Sequence, residues 1–256
     1  MSTNEIQPIN CLWQSPEAIG HAIGRVIPAR THGVHLINLG LHKTEKQTPV
    51  DVIRTIGEGL GELVRTTANQ SSDIWELNSF RTSEGPGIPI HTDCAEYVVP
   101  PEIVMLFNLA DEPSGEILTL NIERILGSIK PGTKDFETLN KLRNTQANFS
   151  LGDQTHTGPV LSKSKFAPRI RFNSNLINNQ NIELATETDE LFTSLGDIAQ
   201  ITRLQPGEGL AIDNHSTLHR HLGDNNPDRD LRRVRVKVAN TAINEWFNPA
   251  QIDTNI

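Results

Sequence analysis

The chain has 256 residues, 31 Asp and Glu against 23 Lys and Arg, and a formal net charge of −8. That acidic balance is the reverse of the basic face a nucleic-acid protein presents, and no run approaches the roughly 18 apolar residues that span a membrane. With no linker, repeat or compositional break, the reading is one domain over 1–256. The two cysteines, Cys11 and Cys94, lie far apart, and "MSTNEIQPIN" lacks the charged start and apolar stretch of a secretory signal, so the expected home is the reducing cytoplasm.

In chain order, "SPEAIGHAIGRVI" (15–27) predicts a helix. Ser15 can cap it, Pro16 suits the first helical position, and Ala18, Ile19, Ala22, Ile23, Val26 and Ile27 form one stripe. "GVHLINL" (33–39) alternates as a strand does, with Val34, Leu36 and Asn38 on one face. "TPVDVIRTIGEGLGELV" (48–64) predicts a second capped helix with Ile53, Ile56, Leu60, Leu63 and Val64 on its buried side. Thereafter the pattern is mostly β, with short apolar runs at 74–77, 88–90, 102–109, 116–120, 168–172, 209–213 and 231–239. "EIVMLFNLA" (102–110) is apolar on both faces and reads as a central strand. Helices are expected in "TLNIERILGSIK" and "KDFETLNKLRN", and in "TETDELFTSLGDIA" (186–199). Strict alternation of strand and helix is missing, so a doubly wound parallel sheet does not fit. The expected class is α+β, mainly β, a barrel or sandwich with helices packed outside.

"IPIHTDCAEYVV" (88–99) sets His91 two residues before Asp93 beside apolar residues. Burying that pair is costly unless something compensates it. On a strand, residues i and i+2 point to the same side, so both can aim a ligand atom at one point. Two histidines and a carboxylate on one face of an octahedron form the non-haem Fe(II) site that activates oxygen. The third ligand must come from elsewhere, and "GLAIDNHSTLHRHLGDNNPDRDLRRVRVKV" (209–238) offers His215, His219 and His221. In an extended strand all three share a face, so geometry alone does not choose among them. His21, His32, His35, His42 and His156 have no ligand spacing.

These motifs together resemble the taurine dioxygenase/clavaminate synthase group of Fe(II)- and 2-oxoglutarate-dependent oxygenases. "HTD" matches its H-x-D/E motif, and "PPEIVMLFNLADEPSGEILTL" is similar to the strand, acidic turn and strand that follow it. "GEGLAIDNHSTLHRH" resembles the signature that carries the distal histidine, which falls on His219; where the family has an arginine two residues later, this chain has His221. "RDLRRVRVKV" resembles the closing arginine strand, and weaker similarity reaches the N-terminal helices and "DIWELNSF". The resemblance implies a double-stranded β-helix (jelly-roll) core with flanking helices, and His91, Asp93 and His219 as ligands of Fe(II).

It also implies roles for other residues. Arg229, ten residues after His219, meets the far carboxylate of 2-oxoglutarate, with Thr119 as its hydroxyl partner. Arginine suits that task because its planar fork binds carboxylate in two places. Arg233, four residues further on, falls on the substrate side. Arg232 reads as part of an exposed basic edge. Asp213 and Asn214 are candidates for orienting the iron histidine, and Cys94 for a small buried thiol. "FRTSEGPGIP" (80–89) reads as a flap or a plain loop, and Arg81 and Trp75 as substrate contacts. The implied reaction consumes molecular oxygen, with the small-molecule substrate an amino acid or amino-acid-derived metabolite in natural-product biosynthesis. A small sulfonate or carboxylate is the alternative, and a cupin-like metal protein without 2-oxoglutarate is the rival from another class.

Overall fold

Two proline-started helices alternate with the first strands of the main sheet. In the computed structural model the described residues are 7–11, 14–27, 33–39, 48–65, 73–77, 89–163, 167–222 and 230–238. Strand β1 spans Gln7–Asn10 and helix α1 Pro16–Val26, where the Ser15 hydroxyl accepts from the Ala18 N–H. After β2 (Val34–Ile37), helix α2 (Pro49–Leu60) opens with a reciprocal capping box between Thr48 and Asp51. The two helices cross closely. A Cβ on Gly20 of α1 would lie 2.4 Å from the Ile56 carbonyl oxygen and 2.9 Å from the Leu60 nitrogen of α2. The predicted second helix is shorter than its apolar stripe: it stops at Leu60, and Gly61–Leu63 become strand β3. Leu63 therefore packs from a strand that pairs with the sheet rather than from a helical face.

The large sheet also contains β4 (Ile74–Glu76), β5 (Ile103–Asn108), β12 (Gly209–Asp213) and β14 (Leu231–Val238). Its order is β1-β2-β12-β5-β14-β3, with β4 also on β14. Only the β1–β2 pair is parallel, which excludes a doubly wound sheet. β5 is buried at every position, as its unbroken apolar run predicts. Ile103, Met105 and Phe107 pack with Ile19, Ile53 and Ile56 of the helices.

A second sheet contains β6 (Glu116–Asn121), β11 (Gln200–Thr202) and β13 (Thr217–Leu222) in the order β11-β6-β13. Its Ile117 packs with Leu106, Leu210, Ile212 and Leu231 of the large sheet, so the two sheets face each other across a common core. The opposite parity, Leu120 and Leu218, packs against α3 (Ile122–Ser128), α4 (Lys134–Asn144) and α5 (Ile182–Ser194). α5 begins four residues before the predicted stretch. The hairpin β7–β8 (Gln146–Leu151, Gln154–Pro159) and the short pair β9–β10 (Leu161–Lys163, Pro168–Ile170) complete the described strands. No helix among the described residues is long and apolar enough to cross a membrane. Cys11 and Cys94 are buried free thiols.

Candidate metal centre

Register brings the site together. On antiparallel neighbours, directly opposite residues share a face. Thr119 of β6 lies opposite His219 of β13, and His219 forms an isolated bridge to His91 on its other side. The His91 N–H donates to the His219 carbonyl at 3.0 Å, and the His219 N–H returns to the His91 carbonyl at 2.8 Å. Thr119 shares its parity with Ile117, so the row Thr119–His219–His91 faces the large sheet. On that sheet Arg233 and Arg235 share a face with Leu106 and Val104, their partners on β5. Leu106 points to the small sheet, and both arginines therefore point into the same space.

Asp93 does not reach this space as the next alternating position of a strand, which is where the sequence placed it. Pro89 and Ile90, the described part of the run 88–90, form no strand either. His91 makes a single bridge, and the chain turns at 93–96. Cys94, within that turn, has φ +56°, a region that non-glycine residues seldom enter. Asn214 clamps the turn: its Oδ1 accepts the Asp93 N–H at 2.8 Å, and its Nδ2 donates to the carbonyls of Asp93 (3.0 Å) and Pro101 (2.9 Å). This corrects the expectation that Asp213 and Asn214 orient the histidine. Asn214 holds the carboxylate's backbone, while Asp213 caps its own turn, accepting from the His215 N–H and the Ser216 hydroxyl.

The result is a buried cluster in which one ligand atom each from His91, Asp93 and His219 lies within 4.8 Å of the others. Asp93 Oδ1 sits 3.4 Å from His91 Nε2 and 3.9 Å from His219 Nε2. His91 Nδ1–H donates to the Pro89 carbonyl at 2.8 Å, which turns Nε2 toward the carboxylate. Register decides among the three late histidines. His221 lies opposite Ile117, two pairs along the strand from the bridge. His215 sits in the preceding turn with Nε2 3.3 Å from the Pro100 carbonyl.

Arg233 Nη1 donates to Asp93 Oδ1 at 3.0 Å and Arg235 Nε to Asp93 Oδ2 at 2.7 Å. Their guanidinium carbons stand 4.6 and 5.2 Å from the centroid of the Trp75 ring. Burial by itself raises the Asp93 carboxyl, but Arg233 and Arg235 outweigh it and hold the group well below the usual carboxylate range. Burial, with His91 alongside, pushes His219 down to about 3. An ionised carboxylate and a neutral imidazole are the forms that bind metal.

Among the described residues, four atoms in this space are buried without a hydrogen-bond partner: both ring nitrogens of His219, Thr119 Oγ1 and Arg233 Nε. Buried polar atoms are rarely left so. A metal at His219 Nε2 and an anion meeting Thr119 and Arg233 would satisfy three of these four, leaving His219 Nδ1, and the donors suit iron with a carboxylate co-substrate.

The sequence matches the Taurine catabolism dioxygenase TauD, TfdA family over residues 17–235. The chain belongs to this family. As a TauD/TfdA protein it is a 2-oxoglutarate-dependent non-haem iron oxygenase, with iron and 2-oxoglutarate as its cofactors. Among solved structures, the non-haem iron oxygenase OrfP in complex with Fe, succinate and (3R,4R)-dihydroxy-L-Arg is similar. It is 18% identical, with 87% of this chain and 80% of that one covered and a TM-score of 0.65. Asparagine oxygenase in complex with Fe(II), 2S,3S-3-hydroxyasparagine and succinate is 17% identical over 92% of this chain and 83% of that one, with a TM-score of 0.64. OrfP with Fe and alpha-ketoglutaric acid gives 17%, 87%, 80% and 0.62. These proteins share the fold of the TauD/TfdA chain described here. No curated protein sequence matches it.

Other expected site residues divide in three ways. Trp75 touches the two arginines. Arg232 points the other way and pairs with Glu76 at 2.7 Å, yet β14 is paired on both sides and is no exposed edge. Arg229, Arg81 and nearly all of 80–89 lie outside the described residues. The sequence reading missed Arg235, although its i+2 spacing from Arg233 was the available signal. It also missed Glu96, buried three residues beyond Asp93 with Oε2 unpartnered. A separate cavity of about 390 Å³ abuts the cluster through Thr92 and Asn214, but none of the three clustered residues lines it.

Proposed function

We propose that His91 Nε2, Asp93 Oδ1 and His219 Nε2 hold one Fe(II), and that the enzyme hydroxylates an unactivated C–H bond of a free amino acid or amino-acid-derived metabolite. The observation that carries this is the buried cluster itself, three ligand atoms within 4.8 Å of one another. Loaded iron, with 2-oxoglutarate and oxygen, supplies the oxidant for such a bond and leaves succinate and carbon dioxide. The two facing sheets, with His91, Asp93 and His219 between them, support reading the core as a double-stranded β-helix.

The protein's own residues position the reactants. Arg233 and Thr119 offer an unpartnered N–H and hydroxyl beside the cluster, and we assign them to the far carboxylate of 2-oxoglutarate. The spacing argument favoured Arg229 for that role. Arg233 takes it here because the structure brings it to the ligands, and Arg229 is the alternative. Trp75 serves as the wall that holds the guanidinium groups, and Arg81 stays a proposed substrate contact. Asp93 fills the position that related halogenases leave open for a halide, which favours hydroxylation, desaturation or cyclisation.

The amino-acid class draws support from the neighbours, since OrfP is seen with L-Arg and with L-homoarginine, and asparagine oxygenase with hydroxyasparagine. The family's own description, taurine catabolism, favours a second reading, attack on a small sulfonate or carboxylate for nutrient use. Two buried free thiols suit a reducing compartment, and a cytoplasmic location follows. The test is a screen of amino acids and small sulfonates for stimulated succinate formation with added Fe(II), followed by product mass in chloride-rich buffer. An amino acid that stimulates succinate and gains one oxygen is the expected result. Stimulation by sulfonates alone overturns the substrate class, and a chlorinated major product overturns the role of Asp93.

A further inference from the structure

We infer that Arg235 is a positioning residue for the metal centre, fixing the rotation of the Asp93 carboxylate so that a single oxygen faces the two histidines. This rests on the reading of His91, Asp93 and His219 as the metal ligands.

A free aspartate can present either oxygen, or both, to a metal. Here the two oxygens have different neighbours. Oδ1 lies 3.4 and 3.9 Å from the histidine Nε2 atoms and also accepts from Arg233. Oδ2 lies on the Arg235 side, with Nε at 2.7 Å. A charge-assisted bond of that length between buried groups is strong and directional. It occupies the second oxygen and leaves a single carboxylate oxygen on the metal side. Turning Asp93 about its side-chain axis breaks the Arg235 bond between buried groups, where an uncompensated charge is most costly.

Arg235 is itself fixed. Its strand is paired on both sides, with Arg235 opposite Val104, and its backbone carbonyl accepts from the Val64 N–H at 2.8 Å. Its guanidinium sits against the Trp75 ring, and the Asp93 carboxylate favours its charged form. The backbone of Asp93 is held independently by Asn214. Asn214 thus places the Cα, and Arg235 sets the rotation of the carboxylate. Arg233 differs because its Nε remains unpartnered, which leaves it a donor for an anion.

The test uses Co(II) as a spectroscopic stand-in for the iron, titrated into the metal-stripped full-length protein without co-substrate. Arg235→Met keeps the side-chain length but removes the fork, and Arg235→Lys keeps the charge without the Nε–H. Arg232→Gln, on the opposite face of the same strand, is the control. Partners that orient metal ligands typically contribute roughly 10–100-fold to metal affinity. Arg235→Met should weaken Co(II) binding by at least about tenfold, with Arg235→Lys between it and wild type. Both should change the Co(II) absorption spectrum, while Arg232→Gln leaves dissociation constant and spectrum as in wild type. A merely structural arginine would lower the melting temperature and leave both metal readouts unchanged in the folded protein, and that result overturns the inference. If Arg235→Met does not fold, Arg235→Lys decides in the same way, with an unchanged spectrum and dissociation constant counting against the inference. Wild-type protein that binds no Co(II) overturns the metal-site reading instead.

Discussion

At the scale of single residues, the arginines of β14 carry the sharpest prediction. Arg233 is buried, touches Asp93 and has one donor unpartnered. Losing one side of a buried charged pair typically costs about 2–5 kcal/mol. Arg233→Ala should therefore weaken 2-oxoglutarate binding to the Fe(II)-loaded protein by more than about tenfold in anaerobic calorimetry. If Arg229→Ala produces that loss and Arg233→Ala does not, the co-substrate arginine is Arg229. What could be read at this scale was residue type and spacing: the H-x-D pair and a late histidine. Residue type and spacing alone left His215, His219 and His221 open; the family resemblance pointed to His219, and cross-strand register agrees, since His219 lies between Thr119 and His91. The turn that aims Asp93 was hidden because Cys94 adopts a positive φ that nothing in its side-chain chemistry announces.

At the scale of elements, the crossing of α1 and α2 rests on Gly20. An added Cβ meets backbone atoms of α2, which cannot rotate away. Overpacking of this kind costs about 1–3 kcal/mol, more than the roughly 1 kcal/mol that alanine gains over glycine in a helix. Gly20→Ala should lower the urea midpoint. Gly127→Ala, in α3 with nothing within 4 Å of an added Cβ, should leave it unchanged or raise it. The reverse order would contradict the close crossing. Both helix starts were legible because Ser15 and Thr48 with Pro at the first position are local signals. The end of α2 was not: Leu63 continues the helical stripe, and only pairing with β14 pulls Gly61–Leu63 into the sheet. The β7–β8 hairpin was also missed. Of β7 only Ala147 and Phe149 are buried, too little alternation to read as a strand. Its turn depends on Gly152 at φ +58°, and that glycine with Asp153 was the overlooked signal.

At the scale of the whole molecule, two sheets close on a charged, buried site, and the buried histidines tie stability to pH. Burial pushes His215 down to about 3 and His156 down to about 4, from 6.5. The unfolded chain takes up protons at both below pH 6.5, whereas the folded protein resists until those lower values. Stability should be unaffected by these groups above pH 6.5 and fall steadily beneath it, by the order of 4 kcal/mol for His215 alone once pH 3 is reached. Urea midpoints measured from about pH 7.5 to 4.5 should show that decline, and His215→Gln should make it shallower. An equal slope in the variant would remove His215 from the account. That two sheets face each other was expected, as a barrel or sandwich from the pattern and a jelly roll from the resemblance; the strand order was not, since it joins segments distant in sequence, such as β5 to β12 and β14. The most direct test of the central claim is an anaerobic calorimetric titration of Fe(II) into metal-stripped wild-type, His219→Ala and His221→Ala proteins. The account predicts one tight Fe(II) per chain in wild type and in His221→Ala, and none in His219→Ala; tight binding kept by His219→Ala, or lost in His221→Ala alone, would contradict it.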